Sequence, residues 1–469
     1  MAHKDDIALM AHLMRRAGFG ATREELEKRV ANGYEKTVEE LLHPEEQVPV
    51  NKYDLYRYHP NLFKPATLTE AGGSNFMFYM IHTNAPLQEK MNLFWHSLFA
   101  TGVSKVDNYD EIMDMIDKFR ENGMGNYKQV LVDVAKSPAM IYWLDNNENH
   151  AYAVNENWGR ELLELFSMGV GNYTETDVRE ASRAFTGWTR APKISRFPYN
   201  RFDAAFEYKP EDHDEGEKTF LGYTGNINGE DVIDIICEQP ATARFICRYL
   251  YSYFVADETQ VAAWSVTPPR DPEAIEYLAK VFRGSKGEIV PVLRALFNSD
   301  FFKAALFSRI KSPAEMVVGV MRLVGGESEF PIIGITELSR QPMYMGQDLL
   351  NPPSVEGWHT GQEWINSGTL MKRINFCSDM MGDVTRPGVR TIIEKIKAQG
   401  DIPPEQLVDL CMDELGPLVV DPGAKQELVN HTAKDGDLCW GTEQESSSSE
   451  QRVASMLQMV VALREYQYA

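Results

Sequence analysis

Long apolar runs are missing from this sequence of 469 residues, and its first twenty residues do not have the pattern expected of a secretory leader. No window offers about 18 uncharged apolar residues, so the sequence predicts no transmembrane helix. Charged side chains begin at Lys4, and His12, Arg15 and Arg16 interrupt the first apolar stretch. Because a signal peptide needs an unbroken apolar segment, we expect a cytoplasmic protein.

Cysteine is scarce, with five residues that are widely spaced and form no Cys-x-x-Cys pair. A disulfide framework or a thiolate zinc site would need paired cysteines at short, regular spacing. The sequence therefore favours small, buried, reduced cysteines over either kind of site.

Basic charge is also in the minority, since 47 Lys and Arg face 69 Asp and Glu, for a net charge of −22. A chain this acidic is poorly suited to bind nucleic acid or an anionic membrane through bulk charge. We therefore expect neither of them as a partner. The 43% of hydrophobic residues is ordinary for a globular protein and is enough for a large core.

Helical periodicity dominates the chain, so we predict a mainly α, multi-helical globular array. Thr22 followed by Glu25 is typical of a helix start. A long irregular insertion at 188–224 contains short alternating runs that are compatible with a short β-hairpin. A second irregular segment at 341–368 is rich in Pro, Gly and Trp.

We predict that the helical core spans residues 1–390 and contains both irregular segments. A C-terminal helical region at 391–469 follows it. The tract at 436–450 is rich in Ser, Glu and Gly, so we expect a mobile loop there.

The densest polar group of the sequence lies on one predicted helix. At about 100° per residue, Glu156, Arg160 and Glu164 share a face with Glu161. One interpretation is a solvated face with ion pairs four residues apart. The other is an acidic face that lines a polar pocket, where Glu161 and Glu164 bind a metal or act as acid and base.

Other candidates lie elsewhere in the chain, and each has a structural alternative. His96 occurs in an apolar helix, as either a hydrogen-bonded core residue or a ligand. His213 and Asp214 occur in a charged stretch, as either a surface turn or a loop that delivers them to a site, with Lys218 near an anion.

Aromatic residues concentrate on the two irregular segments. They are Trp188, Phe197, Tyr199, Phe202, Tyr208, Trp358 and Trp364. Such residues either form a binding surface for a sugar or polymer, or pack loops that lack secondary structure.

Several strings together resemble a bacterial family called domain of unknown function 1800. They are His-Leu-Met-Arg-Arg-Ala-Gly-Phe-Gly at 12–20, Trp-His-Ser-Leu-Phe-Ala-Thr at 95–101, the Asn-Glu-Asn-x-x-Arg-Glu-Leu-Leu-Glu-Leu core at 155–165, the His-Asp-x-Gly-x-Lys loop at 213–218, Lys-Ser-Pro-x-Glu at 311–315, and Met-Gly-Gln with Gly-Trp between 345 and 358. The ordered series covers roughly residues 6 to 380.

The resemblance implies little about a reaction, because no reaction is established for that family. Members are often exported and often encoded beside a sulfatase-like family, which implies a sulfatase-like partner protein. This sequence departs from the family in lacking an export signal. Many members also carry His where this chain has Phe166, so a metal role at that position does not carry over.

Two hypotheses follow from the residues and the resemblance together. The first is an enzyme, a metal-dependent hydrolase with a pocket between helices that acts on an anionic substrate. Its catalytic residues are Glu161, Glu164, His213 and Asp214; its substrate-binding residues are Arg15, Arg16, Arg160, Lys218 and Trp358; its metal ligands are His96, Glu161 and Glu164. Such ligands suit Zn, Mn or Fe.

The second hypothesis is a non-catalytic partner protein. In that case the charged set is a structural salt-bridge network, and the aromatic loops dock a partner enzyme or a polymer.

Overall fold

The computed structural model describes residues 4–58, 60, 71–192, 204–259, 267–325 and 334–469. Over these residues the chain is mainly helical, as predicted, with 24 α-helices and two small two-stranded sheets. Phe197, Tyr199 and Phe202 of the aromatic set lie outside the described residues.

The helices are distributed along the whole chain. The first twelve are α1 Lys4–Arg16, α2 Arg23–Asn32, α3 Tyr34–Leu42, α4 Lys52–Tyr58, α5 Ala71–His82, α6 Pro86–Leu98, α7 Val103–Val106, α8 Tyr109–Asn122, α9 Tyr127–Ala135, α10 Pro138–Trp143, α11 Asn157–Glu164 and α12 Glu175–Ala184. The next twelve are α13 Gly229–Glu238, α14 Pro240–Phe254, α15 Pro272–Gly284, α16 Ile289–Asn298, α17 Asp300–Lys303, α18 Pro313–Val324, α19 Ile335–Tyr344, α20 Ser367–Gly382, α21 Pro387–Lys397, α22 Pro404–Glu414, α23 Pro422–Thr432 and α24 Glu443–Ala462. Thr22 caps α2 by accepting a hydrogen bond from the Glu25 amide, as predicted.

Both sheets lie in the predicted insertion. Strand β1 (Trp188–Pro192) pairs antiparallel with β2 (Ala204–Tyr208), and β3 (Lys218–Phe220) pairs antiparallel with β4 (Tyr223–Gly225). The β3–β4 hairpin turns at Leu221 and Gly222, whose φ angles are 47° and 87°. Positive φ at both positions is the geometry that tight hairpins favour.

The core is centred on helices that are buried on all sides. Helix α6 packs against α3, α5 and α8, and its Leu87, Met91 and Trp95 are fully buried. Helix α18 packs against α5, α19, α20 and α21, and most of its residues are buried. Helices without a solvated face belong in the interior, so charged residues on α6 and α18 have to find partners inside the protein.

The Ser- and Glu-rich tract is helical from Glu443 onward, so the expectation of a loop over all of 436–450 is wrong. Thr442 and Glu445 form a capping box that starts α24. Ser449 is buried and its hydroxyl donates to the Cys439 carbonyl oxygen at 2.7 Å. Helix α24 packs along α20, and this tertiary contact outweighs the low helix preference of a serine run.

Two further features concern the chain as a whole. None of the helices in the described ranges is long and apolar enough to span a bilayer. All five cysteines are free thiols, and Cys247, Cys377 and Cys411 are buried. The division into a core and a C-terminal region at residue 390 stays a prediction.

Candidate functional site

Charged side chains from distant segments meet in the interior around the start of α18. This cationic cluster consists of Arg15, Arg16, Lys90, Arg309, Lys311 and Arg373 with the carboxylates of Asp257 and Glu315. The end of α1, the middle of α6, the start of α18 and the first half of α20 each contribute residues to it. Six cations thus surround two side-chain carboxylates.

Glu315 is the centre of the cluster. Ser312 and Glu315 form the capping box of α18, in which the Ser312 amide donates to the Glu315 carboxylate at 2.6 Å. The same carboxylate accepts two hydrogen bonds from Arg309 Nη1, at 2.7 and 2.9 Å, and one from Lys90 Nζ. Burial acts to raise the pKa of Glu315, but Arg309 and Lys90 outweigh it and hold the pKa well below its ordinary value.

Arg15 and Arg16 are adjacent on α1 and have few protein partners. Arg16 Nη2 donates to the Val255 carbonyl oxygen at 3.1 Å, and Arg15 Nη1 donates to the Gly416 carbonyl oxygen at 3.4 Å. Among the described residues, Nε and Nη2 of Arg15 and Nε and Nη1 of Arg16 are enclosed without a protein hydrogen-bond partner. Burial lowers the pKa of Arg15 to about 10 and that of Arg16 to about 9.

Lys311 and Arg373 are joined to the C-terminal segment. Lys311 Nζ donates to the Tyr466 carbonyl oxygen at 2.7 Å and lies 4.0 Å from the centroid of the Tyr466 ring. Arg373 Nε donates to Gln467 Oε1 at 2.9 Å, and Arg373 Nη1 has no protein partner within the described ranges. Burial, with Arg15 and Arg373 nearby, lowers the pKa of Lys311 to about 7.

The cluster faces a cavity of about 700 Å³, which we call the cationic pocket. Its walls include Arg15, Phe19, Gly20, Glu25, Asp54, Arg57, His82, Lys311, Glu315, Gly319, Arg322, Gly416 and Tyr466. This volume is within the range of sites that bind small organic molecules. Arg15 and Lys311 therefore present positive charge to a space large enough for a metabolite.

A close contact between α18 and the loop after α1 forms one wall of the pocket. A Cβ atom at Gly319 would lie 2.8 Å from the Phe19 carbonyl oxygen, so only glycine permits this approach. Gly20 follows with φ of +97°, and the Gly18 carbonyl oxygen accepts from Lys90 Nζ at 2.8 Å. The loop that carries the chain away from Arg16 is thus held against both α6 and α18.

The predicted acidic helix face is a separate site. Neither Glu161 nor Glu164 lines the cationic pocket as the described residues define it. Burial, then the neighbouring Glu164, raises the pKa of Glu161 to about 7. Tyr173 donates its hydroxyl to Glu164 at 3.1 Å, whereas Arg160 makes a two-pronged ion pair with Glu175 at 2.9 and 2.7 Å. The charge of Arg160, which was predicted to bind substrate, is therefore already paired with a protein carboxylate.

His213, Asp214 and Lys218 fasten the insertion to the helical core. His213 Nδ1 donates to the Thr186 carbonyl oxygen at 2.8 Å, and Asp214 pairs with Arg183 Nε on α12 at 2.7 Å. Lys218 Nζ donates to the carbonyl oxygens of Asp214 and Gly216. These contacts are local to the insertion and α12.

The predicted metal ligands are not assembled into one site. In the described part of the chain, no group of three or more His, Cys, Asp and Glu side chains could hold a metal ion. His96 is fully buried, and its Nε2 accepts from the Leu350 amide at 3.1 Å. Burial lowers the pKa of His96 to about 3, so the ring is neutral. His96, Glu161 and Glu164 therefore do not form a metal site among the described residues.

Trp358 is a core residue of its loop. It is 5% exposed and packs with Ile310 and Trp364, which is 6% exposed. Its ring centroid lies 5.1 Å from that of His96. These two tryptophans therefore hold the irregular segment against the helices.

Four cations of the cluster were not predicted as site residues from the sequence: Lys90, Arg309, Lys311 and Arg373. Two of them carry a signal in the sequence. Lys90 interrupts the apolar pattern of α6, and Lys311 with Glu315 belongs to one of the strings that resemble the family.

Fold and site together define a helical protein with a cationic pocket between α1, α18 and the C-terminal segment. The chain belongs to the family described as "Protein of unknown function (DUF1800)", whose model matches residues 12–468. The resemblance seen in the sequence is thereby confirmed, and the match continues through the C-terminal helices. No curated protein and no solved structure matches the chain.

Proposed function

We propose that the protein binds an anionic small molecule in the cationic pocket. The observation that carries this proposal is Arg15, a residue that lines the pocket and has two enclosed guanidinium nitrogens without a protein partner among the described residues. Buried N–H groups are nearly always hydrogen-bonded, and leaving one unpaired costs about 1–3 kcal/mol. A carboxylate or phosphate group bound in the pocket would bring a counter-charge to this guanidinium, which forms strong hydrogen bonds with such anions.

The charge balance of the cluster supports an anion in the same place. Glu315 is already bonded to Arg309 and Lys90, so it leaves Arg15 and Lys311 without a carboxylate partner among the described residues. Charges attract more strongly in a poorly solvated interior than in water. An anion in the pocket would therefore gain from Arg15 and from the protonated fraction of Lys311.

Of the two hypotheses drawn from the sequence, the one that agrees with this proposal is an enzyme that acts on the bound anion. Metal-assisted hydrolysis is not part of it, because the predicted ligands are not brought together. Docking of a partner through Trp358 and Trp364 is not favoured either, because both side chains are buried. A sulfatase-like partner remains an expectation from the family alone.

Thermal unfolding and calorimetric titration test the proposal with phosphate, sulfate, succinate and acetate at constant ionic strength. We expect at least one of these anions to raise the melting temperature. An anion at 100 times its Kd stabilises the folded state by about 2.7 kcal/mol. Arg15→Gln and Lys311→Met should abolish the effect.

Arg294→Gln is the matched control, because Arg294 is a half-exposed arginine paired with Glu39 outside the pocket. That variant should respond to anions like the parent protein. Equal anion binding by the parent and Arg15→Gln would refute the proposal.

A further inference from the structure

We infer that Lys311 is an amine nucleophile and that the anion of the cationic pocket carries a carbonyl group, as a 2-oxo acid does. This inference rests on the proposed anion site and names its substrate class. In this arrangement Arg15 binds the carboxylate of the substrate, and the Lys311 amine attacks its carbonyl carbon.

Lys311 lines the pocket, and its backbone is held on both sides. The Lys311 amide donates to the Gln467 carbonyl oxygen at 2.9 Å, and the Lys311 carbonyl oxygen accepts from Arg373 Nη2. The only protein acceptor bonded to Lys311 Nζ among the described residues is the Tyr466 carbonyl oxygen. A neutral amine can make that single bond through one N–H and still keep its lone pair for attack.

Lys90 shows what a buried structural lysine looks like in the same cluster. Its ammonium group donates to the Glu315 carboxylate and to the carbonyl oxygens of Gly18, at 2.8 Å, and Arg15, at 3.4 Å. Three acceptors match the three N–H bonds of a charged ammonium group. Lys311 has neither a carboxylate partner nor a full set of acceptors in the described chain.

The charges around Lys311 favour its neutral form. Arg15 and Arg373 are like charges beside it, and with burial they lower its pKa to about 7. A substantial fraction of the amine is then neutral at physiological pH, whereas an ordinary lysine is almost wholly protonated. A desolvated lysine next to another cation is a known way to activate an amine for attack on carbonyl groups.

The covalent step balances without any other reactant. The lone pair of the neutral amine forms a C–N bond to the carbonyl carbon, and the carbonyl π electrons move to the oxygen. A proton passes from nitrogen to that oxygen through solvent, giving a carbinolamine. A proton from solvent then adds to the carbinolamine hydroxyl, which leaves as water, and the nitrogen lone pair forms the C=N bond of an iminium ion that draws electrons from the neighbouring carbon.

Reductive trapping tests this inference on the 469-residue protein. Pyruvate with sodium cyanoborohydride converts the iminium ion to a stable secondary amine, which peptide mass spectrometry locates. We expect Lys311 to be modified on the order of tenfold faster than the exposed Lys118 at pH 7.5, because more of its amine is neutral. Lys90 should stay unmodified, and lactate, which lacks the carbonyl group, should slow the trapping.

Two variants separate this inference from the anion site itself. Lys311→Arg should lose the adduct while lactate or phosphate still stabilises the protein, and Arg15→Gln should slow trapping by weakening anion binding. Trapping confined to surface lysines, with anion stabilisation intact, would overturn the role of Lys311 and leave the proposed function standing. Loss of both effects in the parent protein would overturn both.

Discussion

Arg309 and Glu315 form an ion pair in which one guanidinium nitrogen donates to both carboxylate oxygens, at 2.7 and 2.9 Å. The two side chains are only 7% and 3% exposed. Because the same carboxylate also holds Lys90 of α6 and caps α18, one side chain connects three segments of the core. The Glu315 carboxylate thus neutralises the buried charges of Lys90 and Arg309, which would be strongly unfavourable without a partner.

Replacing Glu315 by glutamine is expected to destabilise the protein severely. The amide keeps the shape but leaves Lys90 and Arg309 as buried cations without a counter-charge, which typically costs about 3–5 kcal/mol. Thermal and urea unfolding measure the loss. Glu363→Gln is the control, since Glu363 pairs with His359 at an exposed site and should change stability by less than about 1 kcal/mol. Similar losses in the two variants would contradict the assigned role of Glu315.

The stability of the protein is expected to rise between about pH 7 and pH 10 through Lys311. Its pKa is about 7 in the folded protein and 10.5 in an ordinary lysine, so the unfolded chain binds more protons in this window. The groups that act on it are Arg15 from α1, Arg373 and Cys377 from α20, and Glu315 from α18.

Urea unfolding at several pH values, with the parent compared to Lys311→Met, isolates that contribution. The comparison is needed because burial also lowers the pKa of Lys90, to about 8, and gives a slope of the same sign. The parent should gain more stability than Lys311→Met as the pH rises, and a bound anion should reduce the difference. Parallel pH profiles would show that Lys311 titrates like an exposed lysine.

Glu161→Gln is expected to stabilise the protein above pH 7 and to be neutral near pH 4.5. The pKa of Glu161 is raised from 4.5 to about 7, so the folded protein binds more protons than the unfolded chain between these values. Stability therefore falls as the pH rises through the window, and an uncharged glutamine avoids the loss. We expect a gain of about 1–2 kcal/mol at pH 8, since partial solvent exposure screens the effect.

The control for that experiment is Glu156→Gln, at the start of the same helix, where the carboxylate pairs with Arg160 at 3.4 Å. It should bring no gain at pH 8. A pH-independent effect of Glu161→Gln would mean that Glu161 is ionised like an ordinary glutamate.

Gly319→Ala is expected to destabilise the protein even though alanine favours helices by about 1 kcal/mol. The new methyl group would meet the Phe19 carbonyl oxygen at 2.8 Å and push the loop off α18. Gly284→Ala, in helix α15, is the matched control because its Cβ would have no heavy atom within 4 Å. The thermal midpoint should fall for the first variant and stay or rise for the second. Equal thermal midpoints of the two variants would contradict the close contact between Gly319 and the Phe19 carbonyl oxygen.

Local patterns in the sequence account for much of the fold. The helix start at Thr22 follows from a side chain and an amide three residues apart, and these interactions need no distant partner. The serine-rich tract that forms the first turns of α24 was wrongly expected to be a loop for the complementary reason. Its helix depends on packing against α20, which composition does not reveal.

The candidate site was predicted in part. Arg15 was selected as an anion-binding residue and does line a pocket, whereas Arg160, chosen for the same role, pairs with Glu175 on the surface. Both residues occur in strings that resemble the family, and neither string distinguishes a pocket from an ion pair. Only the partners of each guanidinium group make that distinction.

The sequence by itself determined the helical class, the family and the place of the irregular insertion, because each depends on neighbouring residues or on ordered strings of them. The tertiary structure alone decided which charges meet. Arg15 comes from α1, Lys311 from the segment just before α18, and Arg373 from α20, and only long-range packing of these elements brings them together. Whether a charge is solvated, paired or left facing a pocket is set by that packing, since burial and dielectric are properties of the folded interior.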